Sequence, residues 1–282
     1  MATAERIKVP IAEVAIIAFR AVFGRLGLML DLAWLPLLVL LAAVLLPGLA
    51  TKYVMPRAGH AAASHPALAP GDLIVDAISL LCLNAFAVRW HQLSLFADIR
   101  AVPRRLFLRA WVRFVAYTLL ISLLVYLLAL ALFAVAASAS LSVADHPGAV
   151  GLAALATALA FALGLAIARC SLVFPAAACG EPLGLAAAWR QMRGNTWRLI
   201  AATLMVIVPI IFTVGLVLSR ILAAAGLGSP KGLMSDPPLG FFLLAGVVDV
   251  VLRFIFVALG ATILSEFYRR ILRRSTTKGE PP

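Results

Sequence analysis

Six long apolar runs constrain this chain more than any other feature. They fall near residues 28–46, 73–96, 111–137, 150–174, 199–225 and 239–264. A bilayer core about 30 Å thick is crossed by about 20 apolar residues in helical form. Hydrophobic residues make up 64% of the 282 and charged residues only 13%. A soluble domain of this size has no interior large enough to enclose that much apolar surface. Lipid offers no partner for backbone N–H and C=O groups, so the spans must be helical. A β-barrel would need strands of about 10 residues with alternating polarity, whereas these runs are longer and apolar on every face. The sequence predicts an all-α membrane protein with six transmembrane helices in three hairpins.

Orientation follows from the basic residues. Segments 1–27, 97–110, 175–198 and 265–282, with Arg113 at their edge, hold 17 of the 24 Lys and Arg residues. The opposite loops hold three: Lys52, Arg57 and Lys231. Such a bias places the basic side, and both termini, in the cytoplasm. A bacterial inner membrane is the expected location. The net charge of +12 is spread over membrane-flanking segments, where anionic headgroups are its natural partners. No motif that reads DNA or RNA accompanies it, and no nucleic-acid partner is expected. The first apolar run begins well inside the chain, later than the core of a secretory leader, so no cleavage is expected.

Two basic, partly amphipathic segments precede outward-going spans. In the first, 10–25, Ile11, Val14, Ala15, Ala18 and Val22 recur at helical spacing. It is too short to span and is expected to lie in the cytoplasmic interface. The second covers 183–193. Phe19-Arg20-Ala21-Val22-Phe23-Gly24 matches Trp189-Arg190-Gln191-Met192-Arg193-Gly194, with an aromatic, an arginine and a glycine at the same positions. A weaker copy runs from Pro103-Arg104-Arg105 to Trp111 and Arg113 without the glycine. The reading is a single membrane domain over 1–282, with three units at 10–96, 100–174 and 180–265, each an interfacial helix plus a hairpin. A basic cytoplasmic tail is expected over 266–282. Glycine would let the chain turn from the interface into the bilayer.

The fourth run carries Ala or Gly at every even position from 154 to 168. This makes two small-residue ridges that would let neighbouring helices approach on both sides. An alanine-rich composition explains the same pattern without packing.

Charges inside spans are costly and are therefore the functional candidates. Asp249 and Arg253 stand four apart and can pair on one helix face. With Arg220 and Asp76 they form a candidate outward cluster, either a structural lock or a substrate or proton site. Toward the cytoplasm stand Asp31, Arg89, Trp90, His91, Arg169 and Glu266. Interfacial anchoring explains Arg89, Trp90 and Arg169. Asp31 is expected to bridge to Arg89 or Arg169. Asn84 is expected to make an interhelical hydrogen bond. Cys82, Cys170 and Cys179 form no CxxC pair and are expected as reduced thiols. His60, His65, His91 and His146 have no ligand spacing, so no metal site is expected. Catalytic motifs are likewise missing, and neither catalytic residues nor a cofactor are assigned.

Arg169-Cys170-Ser171-Leu172-Val173-Phe174-Pro175, and Trp189 through Arg198 with its Arg193-Gly194 and Trp197-Arg198 steps, resemble a recurrent pattern in bacterial six-helix membrane proteins. Ala87-Val88-Arg89-Trp90-His91 resembles the same group. That group is similar to the membrane domain attached to some glycerophosphodiester phosphodiesterases. The resemblance implies six helices and an inner-membrane location. It carries no catalytic residue over, because the barrel that holds the enzyme's site has no counterpart in this sequence. The leading reading is therefore a non-enzymatic membrane protein acting through contacts with lipid, a protein partner or a second copy of itself. A small transporter or channel, and a membrane-embedded lipid enzyme built around Asp249, Arg253 and Arg220, are the alternatives.

Overall fold

The computed structural model describes residues 8–53, 70–96, 102–142, 148–181, 183–224 and 239–276. Its helices are α1 (Ile11–Phe23), α2 (Leu26–Tyr53), α3 (Pro70–Leu95), α4 (Arg104–Ser142), α5 (Gly148–Cys170), α6 (Val173–Cys179), α7 (Leu185–Gln191), α8 (Thr196–Ala224) and α9 (Leu239–Thr276). The described residues include no strand. Six helices, α2, α3, α4, α5 with α6, α8 and α9, are long and apolar enough to cross a membrane. The protein is therefore a multi-pass membrane protein by length and composition. His60, His65, His146, Arg57 and Lys231 lie outside the described residues.

The core gathers toward the ends of the long helices that carry the basic residues. It is built from Phe86, Trp90 and Leu95 of α3, Leu199, Ala202 and Val206 of α8, and α9 from Val250 to Tyr268. The short helices close it: α1 contributes Val14, Ala18 and Val22, α6 Val173 and Ala176, and α7 Ala188. Helix α9 packs against α1, α2, α3, α6 and α8, and α3 packs against α2, α4, α6 and α9. These two helices are the centre of the bundle. Helix α5, whose small-residue ridges were expected to admit neighbours on both sides, packs on α4, α7 and α8 at the side of the bundle. Its Ala154, Ala158, Ala160 and Ala162 are exposed, and a side chain added at Gly164 would meet nothing. Alanine offers little surface to bury, whereas Trp90, Phe86 and Phe254 offer much.

Three boundaries differ from the sequence reading. Helix α4 begins at Arg104 and runs unbroken into its span, so the middle segment is not a separate helix. It lacks the glycine that ends the other two. Helix α2 continues through Pro47 to Tyr53, and α9 continues to Thr276, through most of what was expected to be a tail. Tail residues Phe267 and Tyr268 are buried, and their packing keeps α9 helical. Helices α2 and α8 run unbroken through Pro36 and Pro209.

The two matched segments share one burial pattern but end differently at the backbone, Gly24 being right-handed at φ −78° and Gly194 left-handed. Helix α1 ends at Gly24, where an added Cβ would sit 2.5 Å from the Arg20 carbonyl oxygen. Helix α7 is followed by Gly194 at φ +90°. From residue 16 to 24 and from 186 to 194, burial agrees position by position, with Ala18 and Ala188 buried, Val22 and Met192 buried, and both arginines exposed. Only glycine adopts the Gly194 backbone without strain. Gly194→Ala is expected to destabilise the protein by about 1–2 kcal/mol, measured by thermal unfolding in detergent. An unchanged midpoint would mean that the junction relaxes.

Candidate functional site

Residues 90–92 of α3 each turn about 100° from the last and so reach different neighbours. Trp90 Nε1 donates to Thr262 Oγ1 at 2.8 Å, while Thr262 donates back to the Ala258 carbonyl at 2.8 Å. His91 Nδ1 lies 2.8 Å from Ser265 Oγ. Gln92 Nε2 donates to the Ala178 carbonyl of α6 at 3.1 Å. All three side chains are buried. Trp90 is thus no interfacial anchor: it is 1% exposed, packed on Phe86 at 5.7 Å between ring centroids. Helix α9 supplies a threonine and a serine three residues apart, which fixes the α3–α9 register. Asn84, as expected, bonds across helices: its Oδ1 lies 3.0 Å from Thr118 Oγ1 of α4.

The expected cytoplasmic cluster is divided among other partners. Arg89 lies over the Phe107 ring at 4.1 Å, and Arg169 over the Trp189 ring at 4.8 Å. Neither meets Asp31, which is exposed on α2 and has no ion-pair partner among the described residues. Aromatic faces within reach satisfy the two guanidiniums at lower desolvation cost than a carboxylate on a distant helix face. Arg169 Nε is buried without a hydrogen-bond partner among the described residues. Glu266, expected at the cytoplasmic end, lies within α9. It is buried on α9 and pairs with Arg269 and Arg270.

The N-terminal segment is fastened at two points. Asn195 Oδ1 accepts from the Val9 N–H at 3.2 Å, and Arg198 donates to the Val9 carbonyl at 2.9 Å. Farther along, Arg270 of α9 grips Glu13 of α1 with both terminal nitrogens, at 2.7 and 3.1 Å. This hydrogen bonding holds the Glu13 carboxyl below its usual range. A lowered carboxyl stabilises the fold above the unfolded value of about 4.3 and loses that contribution as pH falls through the folded value. The α1–α9 contact should therefore hold from pH 7 down to the carboxylate range and loosen below it. A nitroxide label at exposed Ala12 should gain mobility there, and Glu13→Gln should remove the pH dependence. A label whose mobility never changes would contradict the clamp.

Of the outward candidates, one pair forms. Arg253 Nε donates to Asp249 Oδ2 at 2.9 Å, with a second guanidinium nitrogen at 2.8 Å. The pair is not buried: 42% of the Arg253 side chain and 49% of Asp249 are accessible. It flanks buried Val250 and Phe254, one turn beyond Gly246, where α9 passes close to Leu45 of α2. Asp76 and Arg220 are exposed and join neither the pair nor each other among the described residues. The described residues hold no group of three or more metal-ligating side chains.

Sequence reasoning missed Thr262, Ser265, Gln92 and Asn195, which do most of the buried polar bonding. It also missed α6, a short helix after a turn at Ser171 and Leu172. The Ser171 hydroxyl donates to the Ala168 carbonyl at 2.8 Å, and Gly180 ends the helix at φ +80°. The only signal for it was Pro175 followed by Gly180. No family model matches the chain, and no curated protein or solved structure matches it.

Proposed function

We propose that this chain is a non-enzymatic protein of the bacterial inner membrane that acts through contact with lipid, with both termini cytoplasmic. One observation carries the reading. The spans are packed on protein mainly toward their basic ends, and much of their remaining length lies open. Only 6% of the most apolar stretch of α4 is buried in the protein, 11% of that of α8, and 33% even for central α3. Leu119, Leu123, Leu127, Leu204, Ile211 and Phe212 are exposed. In a bilayer, lipid covers those faces.

In this reading α1 and α7 lie in the cytoplasmic interface, with exposed Arg20, Arg190 and Arg193 toward anionic headgroups. The spans form three hairpins, and the matched burial of the two glycine junctions supports a repeat. Helix α1 packs on α9 as α7 packs on α5. Each short helix thus rests on the last span of the preceding unit, taken in cyclic order. The likeness to the membrane domain of glycerophosphodiester phosphodiesterases belongs to the same proposal, supported by the count of six long helices. A second copy of the chain, or another protein, is a compatible partner for the open faces.

The purified chain, reconstituted with phospholipids brominated on their acyl chains, tests this reading. Trp34, 58% exposed on α2, should be quenched, and Trp34→Phe should remove that share of the quenching. Vesicles holding the protein should remain tight to protons and small solutes. A flux abolished by Asp249→Asn would replace this reading with the transporter.

A further inference from the structure

Two cavities lie in line along one face of α4. The first, of about 290 Å³, is lined by Arg113 and Tyr117 of α4, by Ala177 of α6, and by Glu181, Leu183 and Gly184. The second, of about 90 Å³, is lined by Leu120, Ile121 and Leu124 of α4 and by α5 with Leu185. On α4 the lining positions fall at i, i+4, i+7, i+8 and i+11, which is one helical stripe. Leu163, Ala166, Ile167 and Cys170 make the facing stripe on α5. Leu183 lines the first cavity and Leu185, at the start of α7, lines the second.

The first cavity is charged and the second apolar. Arg113 has no ion-pair partner among the described residues. Glu181 faces the same cavity without bridging to it, and its carboxylate accepts a hydrogen bond from the Tyr268 hydroxyl. The left-handed cap at Gly180 puts Glu181 there, through a bond of 2.9 Å from the Glu181 N–H to the Ala176 carbonyl. A cation and an anion that share one cavity without touching leave room for a ligand carrying both signs. The charged end lies on the basic side of the bundle and the apolar end runs toward mid-span. From Arg113 to Leu124 the stripe is about 16 Å long at 1.5 Å per residue, about half a bilayer core.

We infer that this slot binds a single phospholipid with a zwitterionic headgroup, of the phosphoethanolamine class. Arg113 and Tyr117 take the phosphate, Glu181 takes the ammonium, and the first methylenes of one acyl chain enter the small cavity between α4 and α5, with the rest of the chain in the surrounding bilayer. The inference rests on the lipid-contact reading above and goes further by naming the lipid and its place.

Full-length wild type and variants, incorporated into bilayer discs of equal phosphatidylethanolamine and phosphatidylglycerol, then re-extracted in mild detergent, test it by mass spectrometry of the intact particle. Wild type should retain one phosphatidylethanolamine in preference to phosphatidylglycerol. Arg113→Ala should lower retention by about tenfold, the loss of one charge-assisted contact. Glu181→Gln should keep a lipid and lose the headgroup preference. Ala166→Trp, which fills the groove, should abolish retention, and Leu163→Phe serves if that variant fails to fold. Retention equal in wild type, Arg113→Ala and the groove-filling variant overturns the site and leaves the membrane reading standing. Preference for phosphatidylglycerol in wild type overturns the zwitterion assignment. A wild-type chain that does not enter the discs contradicts the lipid reading itself.

Discussion

Trp90→Ala is expected to destabilise the protein by about 3–5 kcal/mol, the range for removing a fully buried aromatic side chain. Trp90 has both of the features that make such a loss large. It is 1% exposed and stands beside Phe86, which itself meets Phe254 of α9 edge-on at 5.0 Å. Its indole also holds the Thr262 hydroxyl. A cavity there would open at the crossing of the two central helices, where many neighbours are fixed and few can collapse inward. Trp90→Phe separates the two contributions. It keeps most of the ring volume and loses the hydrogen bond, a term of about 0.6–2 kcal/mol between membrane helices. Thr262 would not be orphaned, because its hydroxyl already donates to the Ala258 carbonyl. Unfolding in detergent with a denaturing surfactant measures both. A cost for Trp90→Ala no larger than for Trp90→Phe would show that the crossing is loosely packed.

The second large effect concerns Asp249. Ten residues from the start of α9 place it about 15 Å along the helix, near mid-bilayer. A lone arginine at that depth costs about 2.5–3.5 kcal/mol on insertion scales. Asp249→Ala should therefore destabilise by about that amount, because Arg253 loses both of its bonds to the carboxylate. The double change Asp249→Ala with Arg253→Leu should restore most of the stability, since an apolar face at this position matches lipid. The pair is half accessible, which makes the outcome informative. A single variant as stable as wild type would mean that water reaches the pair. Such a wet face would support a substrate or proton role.

Long-period features were legible in the sequence. The six spans follow from run length alone. The Asp249–Arg253 pair follows from a spacing of four on one helix, and the Gly24 and Gly194 junctions follow from a matched local pattern. Contacts between distant segments were not legible. Glu13 and Arg270 stand 257 positions apart, and nothing local marks either as the other's partner. Trp90 at the end of a span has the composition of an interfacial anchor; only a threonine on α9 at the right height buries it. Asp31 was assigned a guanidinium because a carboxylate in a span demands one. Arg89 and Arg169 instead found Phe107 and Trp189, rings brought near by α4 and α7. The small-residue ridges of α5 were read as contact surfaces, yet Ala154, Ala158, Ala160 and Ala162 face outward and only the Ala166 and Ala168 end meets protein, because ridge geometry permits close approach without supplying area to drive it. The lipid slot combines both cases: the α4 stripe is periodic, but Glu181 reaches it only through the cap that ends α6.

Side-specific labelling tests the six-crossing arrangement most directly. Cysteine is introduced singly at Lys278 and at His60, and intact cells are treated with a membrane-impermeant maleimide, with the unaltered chain as background. Position 60 should label from outside in intact cells, and position 278 only after the membrane is opened. Labelling of position 278 from outside, or protection of position 60, would contradict an even number of crossings with both termini in the cytoplasm.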